Sequence, residues 1–225
     1  MEIVLVTGAG GPAGVNFTMS LKIAPEKMFI VGTEAYEYFL HLSCADNKYA
    51  VPKATEKTYV ERLNEIINEK KIEFVHAQPD VEVAAISENR EKLEANVFLP
   101  SKEAVNKCQD KLASARTWQK SNVPVAKFLP LHNEKDIEKA FQELGSPIWV
   151  RAQHGAGGRG STPASTPETA LSWIRYWRSR KVPWEFMAQE DLQGRNIAFH
   201  SLWKDGELAA SMSRERIEYI SPSLA

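Results

Sequence analysis

Pro147 to Ser161 read PIWVRAQHGAGGRGS, a short apolar run that delivers Arg151 into a loop holding Gly155, Gly157, Gly158, Arg159 and Gly160. Glycines let a backbone turn freely and bring its N–H groups close to an anion, while Arg151 and Arg159 add charge and forked donors matched to phosphate oxygens. A triphosphate fits such a loop. So does a plain flexible turn, because glycine is the default turn residue.

A second glycine cluster lies at the amino terminus, where Gly8, Gly11 and Gly14 in VTGAGGPAG satisfy TGxxGxxG between an apolar strand and a helix. That spacing is a dinucleotide-binding turn by geometry, and Glu34 closes the next strand, where such folds hold a ribose hydroxyl. An NAD(P)-dependent short-chain dehydrogenase or epimerase would need a tyrosine and a lysine four residues apart on one helical turn. Tyr49 and Lys53 have the spacing, but Pro52 lies between them in a segment that reads as extended. The alternative reading of the turn is a tight strand-to-helix connection that binds nothing.

The elements carrying these motifs fall into two blocks. In the first hundred residues, apolar runs Ile3 to Val6, Met28 to Val31 and Phe74 to Ala77 alternate with helical patterns. Those patterns include a helix through about Lys22 and a stripe of Tyr59, Leu63, Ile66 and Ile67; Val81, Ala84, Ala85 and a nearby Leu93 suggest another amphipathic stretch. Alternation of this kind implies an α/β fold with a parallel, Rossmann-like sheet. A short strand at Val97 to Leu99 ends the block, and Pro100-Ser101 reads as a break before a new helix start, placing the boundary between residues 1–101 and 102–225.

The second block reads as a helix from Ser101 carrying Asp110-Lys111, a strand at Ala126 to Leu129, a helix at about Asp136 to Leu144, and the strand that enters the glycine loop. A helix then follows directly, with Pro167 in its first turn and Ala170, Trp173, Ile174 and Trp177 as its inner stripe. Strands at Phe186 to Glu190, Ile197 to Trp203 and Glu207 to Met212 come last, the final two joined by a Lys204-Asp205-Gly206 turn.

Composition narrows the function class. The 225 residues are 43% hydrophobic and 25% charged with a net charge of -1, an ordinary globular composition that offers no basic field to nucleic acid. Arg175, Arg178 and Arg180 read as the wet side of a helix. No apolar run approaches the roughly 18 residues a bilayer span needs, and MEIVLVTG goes straight into a strand pattern without a secretory n-region, so a cytoplasmic protein with no membrane partner is expected. Cys44 and Cys108 lack CxxC spacing and read as free thiols, and the five histidines lack metal-binding spacing, so no protein-held metal is expected.

The Rossmann-like first block, the Asp110-Lys111 pair, the Arg151 glycine loop and the segment Gln189-Glu190-Asp191-Leu192 occur in an order that resembles the ATP-grasp superfamily. Within it, the chain is most similar to the carbamoyl phosphate synthase large subunit and its stand-alone relatives. The resemblance implies a pre-ATP-grasp domain followed by part of an ATP-grasp module. It also implies that ATP is bound by Lys111 and Arg151 at the phosphates, by Gly155 to Gly160 as the loop closing over them, and by Gln189 to Leu192 as the strand whose backbone reads adenine. Asn196 stands where many members carry a glutamate for the ribose hydroxyls, and an amide lacks the charge-assisted strength of a carboxylate.

Family members hold Mg²⁺ with a Glu and a Glu-x-Asn pair on later strands, and Glu215 and Glu218 come too early to replace them. The expectation is therefore the amino-terminal portion of a longer carboxylate-amine ligase, inactive alone, that takes ATP and a small carboxylate or bicarbonate and works through an acyl phosphate. A non-catalytic nucleotide-binding module is the remaining alternative. Oligomeric state is not encoded in any of these motifs.

Overall fold

A computed structural model describes residues 2–218 and shows two compact units, Met1–Cys108 and Gln109–Ala225. In the first, strands β1 (Glu2–Val6), β2 (Met28–Glu34), β3 (Asn47–Ala50), β4 (Phe74–His76) and β5 (Asn96–Val97) form a sheet in the order β3-β2-β1-β4-β5. Every pairing is parallel. Parallel neighbours need crossovers, which here are α1 (Pro12–Ile23), the short α2 (Glu37–Leu40), α3 (Tyr59–Lys70) and α4 (Asp80–Glu88); α5 (Lys102–Gln109) follows the sheet.

Strand periodicity decides which residues meet which helices. Leu5, Val31 and Val75 point to one face, where Tyr59, Val60, Leu63, Ile66 and Ile67 of α3 cover them. Val4, Val6 and Ile30 point to the other, against Phe17 and Leu21 of α1. Each fully buried Leu or Ile contributes about 1.5–3 kcal/mol, so this two-sided burial is what makes the strand ends a firm base for loops. Lys71 stops α3 in the left-handed region at φ 54°, with its N–H on the Ile67 and Asn68 carbonyls.

The stretch expected around α4 holds only in part. Ala85 packs against the core and Leu93 is buried, but Val81 is 59% exposed, and the fully buried positions of the helix are Glu82, Ile86 and Ser87. The helix begins at Asp80, and the phase this sets turns a carboxylate inward in place of the apolar side chain that hydropathy selected.

The second unit contains α6 (Lys111–Lys120), β6 (Phe128–Leu131), α7 (Glu134–Leu144), β7 (Ile148–Ala152), β8 (Ser161–Ala164), α8 (Pro167–Ser179) and β9 (Phe186–Glu190). Its four strands lie in the order β6-β9-β7-β8 with antiparallel pairings. One face is packed by α7 and α8 through Ile137, Ala140, Ala170 and Ile174 against Ile148, Val150, Ala152 and Ala188. A reciprocal cap between Asn133 and Asp136 starts α7, and the Thr166 hydroxyl starts α8 with Pro167 in the first turn.

Several boundaries differ from expectation, among them β5, at Asn96–Val97 rather than Val97 to Leu99, and the last strand, which runs to Glu215 rather than Met212. The helix from Ser101 is two helices, because Asp110 adopts an extended conformation and its carboxylate accepts from the Leu112 and Ala113 N–H groups, ending α5 and capping α6. The strand expected at Ala126 to Leu129 is shifted to Phe128–Leu131 by its pairing with β9. Finally, β8 intervenes between the glycine loop and α8, so the loop is the turn of a hairpin whose register sets Arg151 opposite Ser161.

The strands β10 (Ile197–Lys204) and β11 (Glu207–Glu215) make a separate antiparallel hairpin. Asp205 and Gly206, at φ 53° and 83°, give the double positive-φ turn favoured by tight hairpins. Among the described residues, no helix is long and apolar enough to cross a membrane.

Candidate functional site

The alternation of β7 fixes the direction of Arg151. Ile148, Val150 and Ala152 face the helices, so Trp149 and Arg151 emerge half-buried on the opposite face. On β9, Trp149 pairs with Gln189 and Arg151 with Met187, which sets Arg151 and Gln189 diagonally on one face. Arg151 Nη1 donates to Gln189 Oε1 at 2.7 Å. Arg151 Nε is buried without a hydrogen-bond partner. Desolvation lowers the guanidinium's pKa from its ordinary value, but arginine remains a cation at any physiological pH.

The loop after β7 is laced to α6. The Lys111 N–H donates to the Gln153 carbonyl at 3.0 Å, and Lys111 Nζ donates to the Gly155 carbonyl at 2.7 Å. Gly155, Gly157, Gly158 and Gly160 all have positive φ, between 64° and 114°. At Gly160 that conformation meets crowding, since a Cβ would lie 2.7 Å from Ala152 and 2.8 Å from the Trp184 ring. At Gly157 a Cβ would meet nothing within 4 Å. The loop is thus pinned at its β8 end and open at its middle, where Arg159 is exposed.

The segment after β9 is held more tightly than a surface strand. The Glu190 N–H donates to the Lys127 carbonyl at 3.0 Å, and Glu190 Oε1 accepts from the Lys127 N–H at 2.7 Å. Asp191 accepts from Gln193 Nε2 at 2.8 Å, and Leu192 is 68% exposed. Asn196 stands at the foot of the hairpin, its carbonyl accepting from the Arg216 N–H at 2.8 Å. Beside it, Arg195 makes a two-pronged pair with Glu215, each bond 2.8 Å.

Lys111, Arg151, the glycines 155–160 and Gln189 therefore form one connected set, with Glu190 continuing the strand of Gln189. Sequence reasoning missed Gln153, which is 2% exposed, receives the Lys111 N–H and donates its side-chain amide to the Phe186 carbonyl at 3.2 Å. Its position two residues beyond Arg151 was the available signal. Among the described residues, no group of three His, Cys, Asp or Glu side chains is arranged to hold a metal ion.

The amino-terminal glycines serve a different purpose. A Cβ on Gly8 would lie 2.2 Å from Pro79, one on Gly10 would lie 1.9 Å from the Phe39 carbonyl oxygen, and one on Gly14 would lie 2.2 Å from the Gly8 oxygen. The chain's own packing accounts for these glycines. Glu34 is buried and accepts from the Ala35 N–H at 3.0 Å, while Tyr49 sits in β3 and Lys53 in the irregular segment after it, so the two share no helix. Below the turn, Glu82 is 4% exposed with Oε2 unpartnered, and burial pushes its carboxyl up to about 7.

Comparison with known proteins agrees with this architecture. Residues 4–98 match the PylC-like, N-terminal domain family. Biotin carboxylase 1 of Bacillus subtilis is 27% identical over 153 residues, 64% of this chain and 34% of that protein. Carboxyaminoimidazole ribonucleotide synthase from Aspergillus clavatus, solved with ATP, superposes with a TM-score of 0.73 at 17% identity, covering 99% of this chain and 55% of the other. N5-carboxyaminoimidazole synthetase from Staphylococcus aureus gives 0.70 at 16%, covering 97% and 55%. The chain thus spans about a third of the curated relative and about half of these solved ones. The fold is the one that these ATP-grasp enzymes share, and residues 4–98 are similar to the PylC-like, N-terminal domain family.

Proposed function

We propose that this chain is the ATP-binding portion of an ATP-dependent carboxylate-amine ligase, with residues 1–101 as its pre-ATP-grasp domain and 102–225 as part of the grasp module. The observation that carries this reading is Arg151, a half-buried cation with an unpartnered Nε beside a glycine loop whose Gly155 carbonyl is held by Lys111. Arg151 on the strand entering the loop, Lys111 on the loop's own carbonyl and a run of turnable N–H groups belong to this segment, and a triphosphate is the small-molecule chemistry they match.

Arg151 and Lys111 bind the phosphates, and the N–H groups of Gly157, Gly158, Arg159 and Gly160 close over them and exclude water. The Glu190 to Leu192 backbone meets the adenine edge, and Asn196 accepts from a ribose hydroxyl. The chain's contribution is positioning and charge neutralisation. Mg²⁺ belongs to phosphoryl transfer of this kind, but the described residues do not form a set that would hold it.

In the reaction, a carboxylate or bicarbonate oxygen attacks the γ-phosphorus, the bond from that phosphorus to the β,γ-bridging oxygen breaks, ADP leaves with its electron pair, and an acyl phosphate results. An amine nitrogen then attacks the acyl carbon, phosphate departs, and the nitrogen loses a proton. Within the superfamily, a carbamoyl phosphate synthase large-subunit-like enzyme is the finer reading, resting on the order of Lys111, Arg151 and Gln189 to Leu192. A biotin carboxylase domain from Hydrogenobacter thermophilus solved with MgADP and bicarbonate, and the A. clavatus synthase solved with ADP and 5-aminoimidazole ribonucleotide, support a small acceptor of this type.

The β10–β11 hairpin supports a larger catalytic unit. Phe199, Leu202, Trp203 and Met212 are all at least 50% exposed on it, and an isolated two-stranded hairpin is marginal in water. Turnover then needs further strands, and the 225-residue chain alone binds nucleotide without completing the reaction. A cytoplasmic location goes with this reading. Thermal denaturation with ATP, ADP, NAD(H) and NADP(H) tests it: ATP and ADP should raise the melting temperature. Stabilisation by the nicotinamide dinucleotides alone would overturn it.

A further inference from the structure

We infer that Gln189 is a positioning residue that aims the Arg151 guanidinium at the glycine loop, so that the strand leading to the base-binding segment also sets the phosphate-binding charge; this rests on the nucleotide reading above. The two residues are diagonal neighbours on β7 and β9, since Trp149 pairs with Gln189 and Arg151 with Met187. Long side chains are needed to close that diagonal, and these two close it at 2.7 Å between Arg151 Nη1 and Gln189 Oε1. Among the described residues, this is the one hydrogen bond of the guanidinium, and Nε stays buried and unpartnered.

A guanidinium is a rigid planar fork, so anchoring Nη1 fixes the plane in which the Nε and Nη2 donors lie. Those two donors form the side-on pair that fits a phosphate bidentately, and the unpartnered Nε is the half of it that Gln189 leaves unused. The chemistry of position 189 fits the task. An amide oxygen orients the cation without neutralising it, whereas a carboxylate would hold the same geometry and cancel the charge that a triphosphate requires. A merely structural hydrogen bond would have no such preference for a neutral acceptor.

Calorimetric titration of the 225-residue chain and its Gln189→Ala and Gln189→Glu variants with ATP, inorganic tripolyphosphate and adenosine tests this. Loss of the anchor should weaken ATP and tripolyphosphate by about fivefold to tenfold in Gln189→Ala and more in Gln189→Glu, with adenosine changed less than about twofold. In an Arg151→Ala background, Gln189→Ala should alter tripolyphosphate binding by less than about twofold, because the group it positions is gone. Equal losses for adenosine and ATP would show that Gln189 reads the base and overturn the inference, as would additive effects in the double variant. Unchanged phosphate binding by a melting-competent Gln189→Ala overturns it while leaving the nucleotide reading intact. Failure of the wild-type chain to bind either ATP or tripolyphosphate overturns both.

Discussion

Lys111 Nζ donates to the Gly155 carbonyl at 2.7 Å while the Lys111 N–H donates to the Gln153 carbonyl at 3.0 Å, so the first residue of α6 is stitched twice to the segment leaving β7. The loop that would meet a triphosphate is therefore held from the side opposite its β8 anchor. Gly155 to Gly160 has freedom in its middle and fixed points at both ends.

Replacing Lys111 by methionine keeps the apolar stem and removes the donor. Helix α6 should survive, because its cap is the Asp110 carboxylate on Leu112 and Ala113. We expect hydrogen exchange at residues 155–160 to accelerate severalfold and ATP affinity to fall about tenfold, equivalent to about 1.4 kcal/mol. Unaltered exchange across the loop would mean that the Lys111 bond does not restrain it.

Arg151→Ala should cost nucleotide affinity more than stability. Its guanidinium is desolvated with Nε unsatisfied, so the folded state loses little when it is removed. ATP affinity should drop by at least about tenfold, since a charge-assisted pair with phosphate contributes about 1.5–3 kcal/mol. An unchanged dissociation constant with the melting temperature preserved removes Arg151 from the site.

How far the sequence revealed this arrangement depended on whether a residue's role was local. Strands and the α3 stripe were legible because burial periodicity is written in the side chains themselves, as in Leu63, Ile66 and Ile67. The Asp110 break was not, since one carboxylate serves equally well inside a helix surface or as a cap, and only the bonds to Leu112 and Ala113 decide. Glu82 was invisible for a different reason: hydropathy assigns a glutamate outward, and the phase of α4 set by its start at Asp80 turned it inward. At the candidate site, Arg151 and its glycines stood out by type and spacing. Gln153 and the acceptor role of Gln189 depend on strand register, which links residues 38 positions apart and leaves no trace in local composition.

Gly10 offers a test of why the amino-terminal turn is glycine-rich. A Cβ there would fall 1.9 Å from the Phe39 carbonyl oxygen, a backbone atom that cannot swing aside. Gly10→Ala should therefore lower the stability of the first unit by about 1–3 kcal/mol, the range for overpacking. Gly157→Ala, at φ 64° with open space around it, should cost about 1 kcal/mol from conformation alone. Urea unfolding of the two variants separates these cases, and a Gly10→Ala midpoint equal to wild type would mean that the segment over the turn yields.

Glu82 should make the first unit lose stability as pH rises from about 4.5 to about 7. Its carboxyl is pushed up to about 7 from an ordinary 4.5, mainly by burial; the Glu34 charge acts in the same direction, and the Thr7 hydroxyl acts against them. Tyr59 also faces it from α3, and burial raises that phenol too. Folding thus favours the protonated acid. The stabilisation is complete below about pH 4.5 and is lost as pH rises through 7, amounting to at most about 3 kcal/mol. Gln is the closest mimic of the protonated acid, so Glu82→Gln should melt like wild type near pH 4.5 and at a higher temperature than wild type at pH 8 to 9. Parallel melting curves for the two proteins across that interval would show that Glu82 ionises without penalty, and that the orphaned Oε2 beneath Gly8 is solvated after all.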